Sequence, residues 1–174
     1  MARGLRAGLC AALLALGGCQ SGPRLATVAR VDLDRFMGDW YVLASIPIGA
    51  EKQSYNGVES YRRNADGSIA TTYTFRDGGF DGKQKQYHPV GFVRNTETNA
   101  EWGMRLIWPI KAEYLITYLA DDYSTTIIGR SSRDYAWIMA RSPTIPEADY
   151  AALTAVLAAQ GYDLAKLRRV PQRW

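Results

Sequence analysis

The sequence predicts an all-β fold, an eight-stranded antiparallel up-and-down β-barrel with one C-terminal α-helix packed outside. Three observations predict it. From Gly38 to Arg141 the chain alternates with a period close to two, turn-forming clusters interrupt the alternation at short intervals, and after Arg141 the period becomes helical. Successive strand residues face opposite sides, so a period of two selects one face for burial. Eight sequential antiparallel strands leave exposed edges unless the sheet closes on itself, and a closed barrel of eight is wide enough to hold one small ligand.

Residues 1–18 read as a signal segment. Arg3 and Arg6 form a basic start, and Ala7 to Leu16 is an apolar run, too short for a membrane-spanning helix of about 20 residues. The run ends in Leu16-Gly17-Gly18-Cys19. Small residues before a cysteine match the lipobox of bacterial lipoproteins. That pattern implies cleavage before Cys19, diacylglycerol on its sulfur and an acyl chain on the new amine; an ordinary secretory signal with a chance cysteine is the alternative. Stable anchoring takes at least two chains, at about 0.8 kcal/mol per buried CH₂. Gln20 stands where Asp retains enterobacterial lipoproteins in the inner membrane, so the pattern implies an outer-membrane anchor, facing the periplasm. Residues 19–30 are the lipidated cysteine and a tether, polar and unpatterned from Gln20 to Thr27. Residues 31–174 are the folded domain. Removing the signal leaves 156 residues, enough for one domain. It also takes away two of the 21 basic residues, lowering the formal charge from +4 to +2. No basic cluster with interleaved aromatics marks a nucleic-acid surface. With Cys10 discarded and Cys19 lipidated, the mature domain carries neither a free thiol nor a disulfide.

The strands are expected over 39–47, 57–64, 68–76, 85–94, 101–108, 112–120, 123–130 and 134–141. In the first, Trp40, Val42, Ala44 and Ile46 share a phase; in the third, Ile69, Thr71, Tyr73 and Phe75; in the fifth, Trp102, Met104, Leu106 and Trp108; in the last, Tyr135, Trp137, Met139 and Arg141. Asn64-Ala65-Asp66-Gly67, Asp77-Gly78-Gly79, Asn95 to Asn99, Pro109, Asp121-Asp122 and Ser131 to Asp134 supply the turns. Beyond them, Thr144-Ile145-Pro146-Glu147 reads as a capping box. Tyr150, Leu153, Thr154 and Leu157 fall on one helical face, and Gly161 stops the helix. Leu164 to Trp174 is a short basic tail, either solvated or touching phosphate headgroups through Lys166, Arg168 and Arg169.

Two short motifs bracket the barrel: Gly38-Asp39-Trp40 at its start and the run from Arg133 through Trp137-Ile138-Met139-Ala140-Arg141 to Ile145 at its end. This arrangement resembles the lipocalin (calycin) family over nearly the whole mature chain, and the closing run resembles its bacterial outer-membrane branch. The resemblance implies that Trp40 sits at the closed end of the barrel with Arg141 across its ring, Gly38 letting the backbone pass a short helix at Asp32 to Phe36. Gly38, Trp40 and Arg141 are then structural residues. A third family signature, Thr-Asp-x-x-Tyr, is replaced here by Leu119-Ala120-Asp121-Asp122-Tyr123.

If Trp40 and Arg141 face inward, parity brings in Val42, Ala44, Ile46, Tyr135 and Trp137. The other strands add Tyr73, Tyr87, Trp102, Met104, Leu106, Tyr114, Ile116 and Tyr118. These make an aromatic, mainly apolar candidate cavity with phenol hydroxyls as polar handles, or simply fill the barrel. The resemblance implies a fatty acid or lysophospholipid as ligand, for storage or transport in the cell envelope, with Cys19 at the membrane. An envelope interaction protein with a filled barrel and a lipocalin-fold enzyme are the rivals, and a homodimer is left open. Catalysis has little in the sequence to carry it. His88 is the single histidine, it precedes Pro89, and the carboxylates form no defensible pair. No metal-ligand spacing and no cofactor motif is present.

Overall fold

The computed structural model describes residues 23–107 and 109–174. The signal segment, Cys19 and Trp108 lie outside the described residues. A short helix, α1 (Leu33–Phe36), is capped by Asp32, whose carboxylate accepts from the Asp34 and Arg35 amides. The strands are β1 (Gly38–Ile46), β2 (Ser54–Arg63), β3 (Ile69–Asp77), β4 (Gln84–Tyr87), β5 (Val90–Val93), β6 (Glu101–Arg105), β7 (Ala112–Leu119), β8 (Thr125–Gly129) and β9 (Ala136–Ala140). Each pairs antiparallel with its neighbour, and β9 returns to β1, closing the barrel. β4 and β5 are one expected strand broken at His88-Pro89, where proline has no N–H for the ladder. The Pro89 carbonyl accepts instead from the Thr71 amide and hydroxyl.

Two register shifts correct the parity argument. β1 slips against β9 between Val42 and Ala44. Val42 therefore faces inward with Trp40, while Ala44 and Ile46 point outward beneath the C-terminal helix. β7 slips against β8 between Ile116 and Tyr118. Ile116 stays in the interior and Tyr118 packs against the outer cluster. An extra residue in one strand reverses every side chain beyond it, and apolar residues occupy both faces here, so the alternation does not mark the slip.

Helix α2 (Glu147–Ala159) packs outside, burying Leu153 and Leu157 against Ala44, Ile46, Leu115, Ile127, Ala136 and Ile138. The expected capping box does not form. Pro146 is the N-cap and makes no side-chain capping bond, because a residue preceding proline, here Ile145, is pushed out of the helical region. The tail is not a free solvated stretch. Residues Arg168–Arg169 form β10, paired with Ala44 and Ser45 of β1. The Val170 amide donates to the carbonyl of Leu43, and Gln172 Nε2 to those of Val42 and Gly57. At the other end, residues 24–30, within the stretch read as tether, run along the barrel: Leu25 is buried, the Val28 amide donates to the Ile116 carbonyl and Arg24 pairs with Glu101.

Candidate functional site

The closed end is built on Trp40. Its indole N–H donates to the Phe36 carbonyl at 2.9 Å. The Arg141 guanidinium lies 3.8 Å from the ring centroid, a cation–π contact. It also donates to the carbonyls of Arg35, Phe36, Met37 and Asp39 at 2.7–3.0 Å. Gly38 sits at φ +90°, a conformation a side chain would strain, and a Cβ there would lie 3.5 Å from Arg141 Nη1. The altered third signature still docks on α1: Tyr123 Oη accepts from the Asp32 amide and Arg35 lies over its ring. Phe36, Tyr61 and Trp102 fill the floor above Trp40, with Ile116 and Met139 beside them.

Above this floor the interior opens into a cavity of about 330 Å³, near the lower end of the ~300–1,000 Å³ of ligand pockets. Of the residues proposed from sequence, Tyr73, Tyr87, Met104, Leu106, Tyr114, Tyr135 and Trp137 line it. Three do not. Trp102 is stacked on Tyr114 with centroids 5.2 Å apart, in the floor; Ile116 lies at the same level; Tyr118 is outside. A hydrogen bond between the Tyr61 and Tyr114 hydroxyls links floor and cavity. Tyr73 and Tyr135 pack on either side of Trp137, with centroids at 4.9 and 5.3 Å. His88 is exposed at the β4–β5 break, its Nδ1 3.3 Å from the Thr72 hydroxyl. Among the described residues no group of His, Cys, Asp or Glu is placed to hold a metal ion, and no helix is long and apolar enough to cross a membrane.

The polar groups of the cavity are the ones sequence reasoning missed. Glu51 comes from a 3₁₀ turn (Gly49–Gln53) at the mouth, and Glu59 from β2, opposite Tyr73. Glu113 and Arg130 stand at the rim. Glu113 accepts from the Ser131 amide at 2.6 Å and its hydroxyl at 3.2 Å; Arg130 donates through Nε to the Glu113 carbonyl and lies 4.9 Å from the Tyr135 centroid. Burial pushes the Glu51 carboxyl up to about 7, against smaller opposing effects of Trp137, Arg130 and Tyr135. Glu59 is 1% exposed, and burial, then the nearby Glu51, hold its carboxyl well above the usual range. Among the described residues three buried side-chain polar atoms lack a hydrogen-bond partner, Glu51 Oε2, Glu59 Oε2 and Trp137 Nε1. All three belong to residues lining this cavity. The Trp137 N–H is near enough to Glu51 to favour its ionised form, without reaching hydrogen-bond geometry. The inward phase of Glu59 was visible only through its sharing a phase with Tyr61; Glu51, in a loop, left no periodic signal.

A family model described as a lipocalin-like domain matches residues 31–172. The chain belongs to the lipocalin family. Lipocalins bind small hydrophobic ligands and are in general carriers, not enzymes. Temperature-induced lipocalin-1 of Arabidopsis thaliana is 30% identical over 156 residues, covering 85% of this chain and 83% of its own. Outer membrane lipoprotein Blc of Escherichia coli strain K12 is 27% identical over 162 residues, covering 86% and 85%. Among solved structures, insecticyanin of the tobacco hornworm Manduca sexta is similar with a TM-score of 0.65 at 16% identity, covering 85% of this chain and 84% of its own. The cockroach allergen Per a 4 gives 0.63 at 20% identity, covering 86% and 94%. In this lipocalin Trp40 and Arg141 are therefore residues of the closed end, and the cavity above them is the candidate ligand site.

Proposed function

We propose that this lipocalin is a lipid-anchored carrier of the cell envelope that takes a small amphiphile, a lysophospholipid or fatty acid, into its barrel for storage or transport. The observation that carries this reading is the aromatic cavity over a closed floor: Tyr73, Tyr87, Met104, Tyr114, Tyr135 and Trp137 offer an apolar body a place to leave water. The similarity to an outer membrane lipoprotein and the Leu16-Gly17-Gly18-Cys19 motif support an outer-membrane anchor through Cys19. The rim supports uptake from an apolar environment, since Ile48, Leu106, Ile107 and Ile110 are exposed there. Binding needs no chemistry, only burial of the ligand's apolar part.

Lysophospholipids and fatty acids of graded chain length are expected to quench tryptophan fluorescence saturably, more weakly in Trp137→Ala and Tyr114→Ala. No binding at any chain length overturns the carrier reading in favour of a filled barrel. Cys19→Ser is expected to move the protein out of the membrane fraction; unchanged fractionation overturns the anchor.

A further inference from the structure

The apolar wall explains why an amphiphile enters, but not why three polar atoms are held unpartnered inside it. A buried polar group without a partner is costly, and the floor of the same barrel carries no such atom among the described residues. Two of the three are carboxylate oxygens, on Glu51 and Glu59; among the described residues neither forms an ion pair. The rings of Tyr73, Tyr135 and Trp137 stand beside them. Carboxylates among aromatic faces form a setting that favours a cation. The nearby cation of the chain itself is committed elsewhere: Arg130 is bound to the Glu113 carbonyl, faces Asp134 at 3.8 Å and lies over Tyr135.

The geometry points to an amine subsite: Glu51 and Glu59, with Trp137 and Tyr135 around them, receive the protonated amine of a ligand whose body is apolar. This inference rests on the carrier reading and narrows its ligand class from amphiphiles in general to those bearing an ammonium group. An ammonium beside Glu51 keeps that carboxyl ionised, and the ionised carboxylate is the acceptor that the Trp137 N–H lacks. A fatty-acid carboxylate placed there meets Glu51 as a like charge, and one of the two must take up a proton. The groups facing Glu51 are Glu59, Tyr73, Tyr135, Trp137 and Arg130; Glu51 itself titrates at about 7.

The sign of the pH dependence separates the two head groups. Decylamine, decanol and decanoate share one apolar body and are titrated against the full domain by calorimetry between pH 5.5 and pH 8. Amine binding expels a proton from Glu51, so decylamine is expected to tighten by about 30-fold over this range, while decanoate loosens. At pH 8 decylamine is expected to bind at least about tenfold more tightly than decanol, one tenfold step being 1.4 kcal/mol. Glu51→Gln and Glu59→Gln are each expected to reduce that amine-to-alcohol ratio, which is read within one variant so that a general loss of affinity cancels. Tyr118→Ala, on the outer face, is expected to leave it unchanged. Equal binding of the three probes, or decanoate binding tightest and weakened by Arg130→Gln, overturns the amine subsite while the carrier reading stands. Failure of all three to bind overturns the carrier reading as well.

Discussion

The closed floor and the upper cavity of the barrel use similar side chains to opposite ends. At the floor, Trp40 gives its N–H to Phe36 and Arg141 serves four carbonyls while covering the indole. In the cavity, Trp137 has no partner for its N–H among the described residues, and Glu51 and Glu59 each hold an oxygen unbonded there. Both regions are aromatic and buried, so hydrophobicity does not distinguish them. The distinction lies in satisfaction: a region whose polar atoms are all met contributes stability, and one whose polar atoms are not is poised for an outside group.

That difference is broken most strongly at the floor. Trp40→Ala removes a fully buried indole and is expected to cost about 3–5 kcal/mol in denaturant unfolding, with little change in which ligand head group is preferred among molecules that fold. The cavity is expected to act on stability with the opposite sign. Glu51 binds its proton more tightly folded than unfolded, so between its ordinary value of 4.5 and about 7 the unfolded chain ionises first. The Glu51 contribution to stability without ligand should therefore fall as pH rises through this window, by up to about 3 kcal/mol, and Glu59, whose carboxyl is also held well above the usual range, carries the decline further. Glu51→Gln should flatten that slope in unfolding measured from pH 4.5 to pH 8; a rise in stability with pH across the window would show the carboxyl to be paired.

The smaller effects sharpen the same line. Trp137→Ala is expected to weaken amphiphile binding by about tenfold, or 1.4 kcal/mol, by fluorescence or calorimetric titration. Tyr118→Ala is expected to leave ligand affinity within error, since Tyr118 packs in the outer cluster.

The sequence carried the barrel, its helix and its floor because these rest on long patterns and on a bracketing pair, Gly38-Asp39-Trp40 and Arg141. It carried seven of the ten proposed cavity residues for the same reason. What it did not carry rests on single residues. The slips after Val42 and Ile116 turn Ala44, Ile46 and Tyr118 outward, and both faces of those strands are apolar, so no residue type marks the change. Trp102 and Ile116 have the right parity but the wrong height, which depends on strand stagger. The tail reads as a solvated basic stretch because β10 spans only two residues and its anchoring runs through Val170 and Gln172 to β1 and β2. Glu51 and Glu59 look like ordinary surface carboxylates until the barrel closes around them.

In the carrier proposed above, the aromatic upper half of the barrel is a ligand cavity and not a filled core. Native mass spectrometry of the domain with a ten-carbon amphiphile tests it most directly, comparing wild type with Met104→Trp, which fills the cavity, and Tyr118→Trp, which enlarges the outer face. A single saturable adduct is expected on wild type and Tyr118→Trp, as is its disappearance from folded Met104→Trp. An adduct that survives in Met104→Trp, or none on the wild type, contradicts it.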